Sequence, residues 1–147
     1  MRFLRVLVLL AVPWLAIAQP PFSPELQADA KVIYVDFWAS WCGPCRRSFP
    51  WLNHMQAKYG EKGFTVIGVN VDPSREDAQL FLDKYPATFP LVYDPDGELA
   101  TRYALQGMPS SILLGADGEE LSRHIGFSEK HKDDYEQEIV RLLEAKQ

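Results

Sequence analysis

Two long apolar runs in the first half of the chain are separated by a segment of helical periodicity. Residues 31–38 (KVIYVDFW) and 63–72 (GFTVIGVNVD) are rich in apolar and β-branched residues without alternation, as in strands buried on both faces. Between Pro44 and Gly60, apolar residues recur every three or four positions, which predicts an amphipathic helix. Its predicted buried face consists of Cys45, Phe49, Leu52, Met55 and Tyr59. The order strand, helix, strand is typical of an α/β domain.

The middle of the chain continues with shorter elements. A second helix is predicted from Ser74, a common capping residue, to Pro86, which cannot continue a helix. Its apolar positions also recur at helical spacing: Ala78, Phe81, Leu82 and Tyr85. Residues 89–97 (FPLVYDPDG) predict a short strand that runs into a turn, and residues 97–105 (GELATRYAL) predict a short helix.

The last third of the chain predicts a hairpin followed by a helix. Two strand-like runs within residues 110–126 flank Asp117 and Gly118, a pair that favours a β-hairpin turn. The final predicted helix packs on the sheet through Tyr135, Ile139, Leu142 and Leu143. These elements imply a mixed central sheet with helices on both faces, in which functional groups lie where strands end and helices begin.

The N-terminal segment differs from the rest and predicts a signal peptide over residues 1–18. Two arginines precede a run of 13 apolar residues, 6–18, and this run ends in Ala16-Ile17-Ala18, a cleavage pattern. A retained membrane anchor is the alternative. A spanning helix needs roughly 20 residues, however, and Pro13 interrupts the run. We therefore expect cleavage after Ala18 and one exported domain over residues 19–147.

Composition and charge narrow the function classes. The chain has 147 residues, of which 47% are hydrophobic and 12% aromatic, enough for the core of one domain. Loss of residues 1–18 removes two of the 15 basic residues and leaves 13 against 20 acidic ones, a net charge of −7. An acidic domain argues against nucleic acids and anionic membrane surfaces as partners.

The two cysteines of the chain, Cys42 and Cys45, lie three positions apart directly after the first apolar run. The start of the predicted helix offers unpaired N–H groups and a partial positive charge, which lower the pKa of a thiol at Cys42. A thiolate attacks a disulfide sulfur, and Cys45, nearly one helical turn on, is placed to resolve the mixed disulfide. Gly43 lets a partner approach the backbone closely, and Pro44 suits the first helical position. The pair is predicted to cycle between dithiol and disulfide.

Two other interpretations of the cysteine pair are open. The pair forms half of a zinc site if other ligands complete it, but His54, His124 and His131 offer no second close pair. The pair forms a purely structural disulfide if it never exchanges. Such a bond closes too short a loop to restrict the unfolded chain strongly.

Residues 35–45 (VDFWASWCGPC), with Pro50 five residues further on, resemble the active-site segment of the thioredoxin superfamily. Residues 107–111 (GMPSS) resemble the proline loop of that superfamily. The exported start, the RRSFP sequence after the motif and an extra helix and strand over residues 74–93 resemble the TlpA- and ResA-like periplasmic disulfide reductases. The resemblance implies a thioredoxin fold, with a helix–strand insertion ahead of a cis-proline loop.

This resemblance implies a role for each matching residue. Cys42 is the expected attacking nucleophile, and Cys45 is the expected resolving thiol. Asp36, six residues before Cys42, matches a buried acid that helps to deprotonate the resolving cysteine. Pro109 matches the cis-proline, and the backbone of Met108 is expected to pair with a substrate strand. No cofactor and no metal are implied.

Asp36, Trp38 and Trp41 can also be interpreted from the chemistry of their side chains. Burial of Asp36 inside an apolar run raises its pKa toward that of a general base, whereas a strand-end Asp that faces water is the alternative. Trp38 is expected in the core. Trp41 either packs there too or forms an apolar rim that contacts a substrate. Many TlpA- and ResA-like proteins carry a glutamate where this chain has Ser48, so the acid chemistry is expected to follow thioredoxin's.

The predicted function is that of a periplasmic thiol-disulfide oxidoreductase that reduces protein disulfides. Gly43 and Pro44 add no charge between the cysteines, so a low reduction potential is expected. A dithiol in an oxidising compartment needs a supply of electrons, which implies a membrane protein as electron donor. A disulfide oxidase or isomerase and a non-catalytic binding module are the alternatives. The chain is expected to be a monomer.

Overall fold

The computed structural model describes Phe22, Leu26 and residues 29–146. The predicted signal peptide, residues 1–18, lies outside this part of the chain. Within it, no helix combines the length and the apolar composition that crossing a membrane requires.

A five-stranded mixed sheet forms the centre of the fold, as the sequence predicts. Its strands are β1 (Val32–Trp38), β2 (Phe64–Asn70), β3 (Leu91–Tyr93), β4 (Ser110–Gly115) and β5 (Glu120–Ile125). Their spatial order is β3-β2-β1-β4-β5. β2 runs parallel to β1 and β3, whereas β4 is antiparallel to β1 and β5. The two long apolar runs are therefore neighbouring inner strands, which explains why neither alternates with polar residues.

Within the described residues, four α-helices accompany the sheet. They are α1 (Cys45–Tyr59), α2 (Arg75–Leu82), α3 (Glu98–Arg102) and α4 (Lys132–Ala145). The predicted face of α1 is buried throughout, from Cys45 to Tyr59. The predicted cap of α2 is also confirmed, because the Ser74 hydroxyl accepts a hydrogen bond of 3.4 Å from the amide of Asp77.

The helix α2 is shorter than the apolar spacing predicts. It ends at Leu82, whereas the spacing predicted a helix through Tyr85 to Pro86. The amides of Lys84 and Tyr85 both donate to the Phe81 carbonyl, at 3.0 and 2.9 Å, so the chain leaves the helix through a turn. Proline disfavours helical backbone at the residue before it, here Tyr85, so the helix does not extend through Tyr85 to Pro86.

Alternate residues of β1 belong to two different cores. Val32, Tyr34 and Trp38 pack with residues of α1 and α4 on one face of the sheet. Ile33, Val35 and Phe37 pack on the opposite face. Because successive side chains of a strand point to opposite faces, Asp36 shares the face of Tyr34 and Trp38, which α1 covers.

Candidate active site

Cys42 and Cys45 form a disulfide with an S–S distance of 2.08 Å and a Cα–Cα distance of 5.4 Å. Cys45 is completely buried in the first turn of α1, whereas Cys42, three residues earlier, keeps 3% of its surface exposed. Of the two cysteines, Cys42 is therefore the one with surface left in contact with solvent.

The start of α1 favours a negative charge on Cys42. Pro44 precedes the helix and provides no capping side chain, and the first turn carries no acidic residue. Arg46 and Arg47 occupy that turn instead, and both are exposed. The partial positive charge at the start of a helix stabilises a thiolate relative to a thiol, and no acidic side chain in the first turn opposes it.

The proline loop lies at the same edge of the sheet as the cysteines. Phe37 near the end of β1 pairs with Ser110 at the start of β4, so the segments that follow β1 and precede β4 are neighbours. The Met108–Pro109 peptide bond is cis, as the resemblance implies. Pro109 is buried and its carbonyl accepts a hydrogen bond of 2.7 Å from Gly126.

Asp36 is completely buried, so the alternative of a strand-end Asp facing water is wrong. Its Oδ1 accepts a hydrogen bond of 3.0 Å from the hydroxyl of Ser111, which lies opposite it on β4. Its Oδ2 is buried and has no hydrogen-bond partner among the described residues. Burial raises the pKa of Asp36 from 3.8 to about 7, and the bond from Ser111 partly opposes this rise. A carboxyl with this pKa accepts and releases a proton near neutral pH.

Tyr34 lies two residues before Asp36 on the same face of β1. Burial raises the pKa of its hydroxyl far above the ordinary value, and the charge of Asp36 adds to the rise. The phenol is therefore neutral at pH 7, and Asp36 is the group of this buried pair that titrates near that pH.

The two tryptophans beside the motif have opposite environments. Trp38 is completely buried, and its ring lies 5.0 Å from that of Phe49 and 4.9 Å from that of Phe81. Trp41, directly before Cys42, is 64% exposed. The core alternative for Trp41 is therefore wrong, and its indole is available to a partner.

The space beside the motif is open at Gly43. A Cβ placed on Gly43 meets no atom within 4 Å, so the fold itself does not require a glycine there. Both Gly43 and Pro44 are partly exposed. On the other side of the site, Ile125 of β5 is paired with Ser110 of β4, the residue after Pro109. The side chain of Ile125 is exposed. Among the described residues, no three His, Cys, Asp or Glu side chains gather as metal ligands.

Comparison with known proteins places this site in a family. A family model described as Redoxin matches residues 17–139, which include every site residue described above. The chain belongs to the redoxin family.

Relatives of this redoxin include thiol-disulfide oxidoreductases named ResA. ResA of Oceanobacillus iheyensis is 33% identical over 91 residues, which are 62% of this chain and 47% of that protein. ResA of Bacillus thuringiensis subsp. konkukian is 30% identical over 112 residues, which are 76% of this chain and 64% of that protein. The redoxin chain thus spans between about half and just under two thirds of the length of these relatives.

A solved structure with the same architecture is a Chlorobium tepidum protein described as a thiol:disulfide interchange protein DsbE. It is 49% identical, covers 78% of this chain and 82% of its own, and has a TM-score of 0.76. The redoxin therefore has the thioredoxin fold that the sequence predicts, with a mixed sheet and flanking helices.

Four polar residues of the redoxin's site were not predicted from the sequence: Tyr34, Ser40, Asp72 and Ser111. Ser111 and Tyr34 lie near Asp36, and Ser40 bonds to Asp72. One signal was available, since Asp72 lies two residues after a buried strand, at the carboxyl end where such folds place functional groups. The partners of these residues depend on strand register and long-range packing, which the sequence does not display.

Proposed function

We propose that this redoxin is an exported thiol-disulfide oxidoreductase that reduces protein disulfides. The observation that carries the proposal is the Cys42–Cys45 disulfide at the start of α1, in which Cys42 alone keeps an exposed surface. The similarity to ResA proteins supports the same class of reaction.

The reaction cycle begins with both cysteines reduced. The Cys42 thiolate attacks one sulfur of the client disulfide, forms a mixed disulfide and releases the other client sulfur as a thiolate. The Cys45 thiolate then attacks the Cys42 sulfur, which releases the second client thiol and forms the Cys42–Cys45 disulfide. Two electrons pass from the dithiol to the client disulfide, and the two thiol protons end on the client thiols.

Asp36 accepts the proton of Cys45 in the second step. A buried thiol cannot act as a nucleophile until it loses its proton, and burial disfavours the charged form. Asp36 lies on the sheet face that α1 covers, and its pKa of about 7 suits proton exchange at neutral pH. Oδ2, which has no hydrogen-bond partner among the described residues, is the oxygen that receives the proton, since Oδ1 is already bonded to Ser111.

The client segment binds across the edge where the two loops meet. The exposed indole of Trp41 covers its apolar side chains, and the backbone of Met108, next to the cis Pro109, pairs with it in an extended conformation. Gly43 and Pro44 leave room for the client backbone beside Cys42, since nothing lies within 4 Å of a Cβ on Gly43.

The direction of electron flow is from this protein to the client. The dipeptide Gly43-Pro44 adds no charge beside the thiolate, so the dithiol is only moderately stabilised and the pair is reducing. After cleavage behind Ala18, the protein works as a monomer in the periplasm. A membrane protein returns electrons to the Cys42–Cys45 disulfide.

Insulin reduction by dithiothreitol tests the enzyme itself. We expect the wild-type protein to accelerate it and Cys42→Ser to abolish the acceleration. Cys45→Ser is expected to accumulate a mixed disulfide with the client, visible as a larger species under non-reducing conditions. His54→Ala, an exposed change on the same helix, is the control. A wild-type protein that does not accelerate the reaction would leave only a binding module with a structural disulfide, and full activity of Cys42→Ser would exclude Cys42 as the nucleophile.

The reduction potential tests the direction. Equilibration with a glutathione series is expected to give a value near that of thioredoxin, about −270 mV. A value close to about −120 mV, that of a strong oxidant, would make the protein a disulfide donor instead.

The mass of the protein recovered from a periplasmic extract tests cleavage after Ala18, and light scattering tests whether the protein is a monomer.

A further inference from the structure

The carboxylate of Asp72 is bonded to the loop that carries Cys42. Asp72 follows β2, and only 4% of its surface is exposed. Its Oδ2 accepts the backbone amide of Ser40 at 2.8 Å, and its Oδ1 accepts the hydroxyl of Ser40 at 2.9 Å. The side-chain amide of Asn70 donates a third bond to Oδ2, at 2.7 Å. All three donors are neutral groups.

These bonds fix a segment that contains only three residues between β1 and the disulfide. The Trp38 carbonyl accepts the amide of Val71 at 3.0 Å, which joins the end of β1 to the end of β2. Cys42 donates its own amide to the Ala39 carbonyl at 3.1 Å and closes a turn around Ser40. Because both donors of Ser40 reach one carboxylate, the residue can neither shift nor rotate without losing a charge-assisted bond.

We propose that Asp72 is a positioning residue that holds Cys42 in place for disulfide formation with Cys45 and so makes the pair a stronger reductant. A disulfide forms only within a narrow range of Cα and Cβ separations. When the backbone of Cys42 is already fixed in the dithiol, closing the bond costs less conformational entropy. The importance of this effect for turnover rests on the function proposed above.

The charge of Asp72 acts in the same direction as its hydrogen bonds. Ser40 and Cys42 are two residues apart, so their Cα atoms are at most roughly 7 Å from each other. The Asp72 carboxylate is bonded to Ser40, and a fixed negative charge beside this loop disfavours a thiolate on Cys42. A less stable Cys42 thiolate shifts the equilibrium from the dithiol to the disulfide. The fixed backbone of Cys42 shifts it in the same direction. Both effects predict that loss of Asp72 shifts the pair toward the dithiol.

The test is the equilibrium between the Cys42–Cys45 pair and glutathione in the full-length protein, read by alkylation of free thiols and mass spectrometry. We expect Asp72→Ala to lower the equilibrium constant for disulfide formation about tenfold, as for partial loss of two bonds to a charged acceptor. Ser40→Ala keeps the charge and removes one bond. It is expected to lower the constant about threefold, the effect of one net hydrogen bond of modest strength.

Asp94 supplies a matched control. It is also buried, with 5% of its surface exposed, and its carboxylate accepts the amides of Leu99 and Ala100 at 3.1 and 2.9 Å. Asp94→Ala therefore loses a comparable set of bonds at the start of α3. We expect it to lower the melting temperature while the glutathione equilibrium stays within about twofold of wild type, because among the described residues its carboxylate shares no hydrogen-bond donor with that of Asp72.

The outcomes separate positioning from general destabilisation. An equilibrium constant for Asp72→Ala within twofold of wild type, or an equal change in Asp94→Ala, would overturn the proposal. If Asp72→Ala does not fold, the same measurement is made on Asp72→Asn and Ser40→Ala. Equilibrium constants equal to that of wild type in both variants would overturn the proposal. The measurement uses no protein client, so failure of the wild type to reduce insulin would remove the proposed function and leave this result standing.

Discussion

Ser111 lies opposite Asp36 in the antiparallel pair of β1 and β4, and its hydroxyl donates a hydrogen bond of 3.0 Å to Oδ1 of that carboxyl. The other oxygen, Oδ2, is buried without a hydrogen-bond partner among the described residues. Burial raises the pKa of Asp36 to about 7, and the Ser111 bond limits the rise. These opposing effects can be changed separately, because one depends on a single hydroxyl and the other on the surrounding core.

Replacement of Ser111 by Ala is expected to raise the pKa of Asp36 further. The variant loses the bond that stabilises the carboxylate and keeps the burial that destabilises it. If Asp36 accepts the proton of Cys45, the acid limb of the pH–rate profile for disulfide closure shifts upward by about one pH unit, as for loss of a charged hydrogen bond of about 1.5 kcal/mol. The measurement is the closure rate of a Cys42 mixed disulfide with a small thiol between pH 5 and pH 9.

Ser110→Ala is the matched control for this profile. Ser110 is the adjacent serine, and its hydroxyl donates to the Gly107 carbonyl at 2.7 Å rather than to Asp36. We expect its pH–rate profile to overlay that of the wild type. Superimposed profiles for Ser111→Ala and wild type would show that Asp36 takes no part in the closure step.

Asp36 also makes the stability of the fold depend on pH. Between pH 4 and pH 7 the folded protein keeps a proton on Asp36 that the unfolded chain has released, because the pKa is about 7 when folded and 3.8 when unperturbed. The free energy of unfolding therefore falls as pH rises through this window, by roughly 3 kcal/mol between pH 5 and pH 8 for this group alone. Full stability from this group is present only below pH 3.8 and is lost above about pH 7.

Asp36→Asn cannot ionise and is expected to remove this dependence. The difference in unfolding free energy between variant and wild type should move in favour of the variant by roughly 3 kcal/mol from pH 5 to pH 8. Urea unfolding of the oxidised proteins at four pH values in this range measures it. A constant difference across the range would mean that the folded carboxyl titrates near its ordinary pKa.

The contrast between Trp38 and Trp41 shows what the sequence can predict. The strands, α1 and the cysteine pair follow from local patterns, since periodicity and the strand–helix junction involve neighbouring residues. Trp38 lies within the apolar strand pattern and is buried as expected, whereas Trp41 follows the strand in a loop where no periodicity applies. Its 64% exposure depends on how that loop leaves the sheet.

The polar contacts of the site were harder to predict from the sequence, because they too depend on the folded arrangement of the chain. Ser111 meets Asp36 across 75 positions and Ser40 meets Asp72 across 32, so each pair exists only once the register of the sheet is set. The sequence identified Asp36 because an acid is unusual inside an apolar run. It offered no comparable sign for Ser111 or Ser40, since serine is common both in loops and at strand ends.

Gly68 in β2 is expected to resist replacement by alanine. A Cβ at this position would lie 2.8 Å from Leu91 Cδ2, 2.9 Å from Phe89 Cε2 and 3.2 Å from Trp38 Nε1. The neighbouring side chains must move, so Gly68→Ala should lower the free energy of unfolding by about 1–3 kcal/mol, the usual cost of overpacking. Thr65→Ala, at a partly exposed position of the same strand, is expected to change it by less than about 0.5 kcal/mol. Equal unfolding curves for the two variants would refute this steric account.

Trp41 tests whether the exposed indole contributes to client binding. Trp41 is 64% exposed, so Trp41→Ala removes little buried contact area and should leave the melting temperature close to that of wild type. If the indole covers a client segment, its loss should raise KM for insulin about tenfold, since interface tryptophans commonly contribute more than about 1 kcal/mol. Reduction of a small aromatic disulfide depends on Cys42 and involves few contacts beyond it, so its rate should stay within about twofold of wild type. An unchanged KM for insulin would mean that the client contacts the loops without the indole, and equal losses for both substrates would mean that Trp41 acts on Cys42 itself.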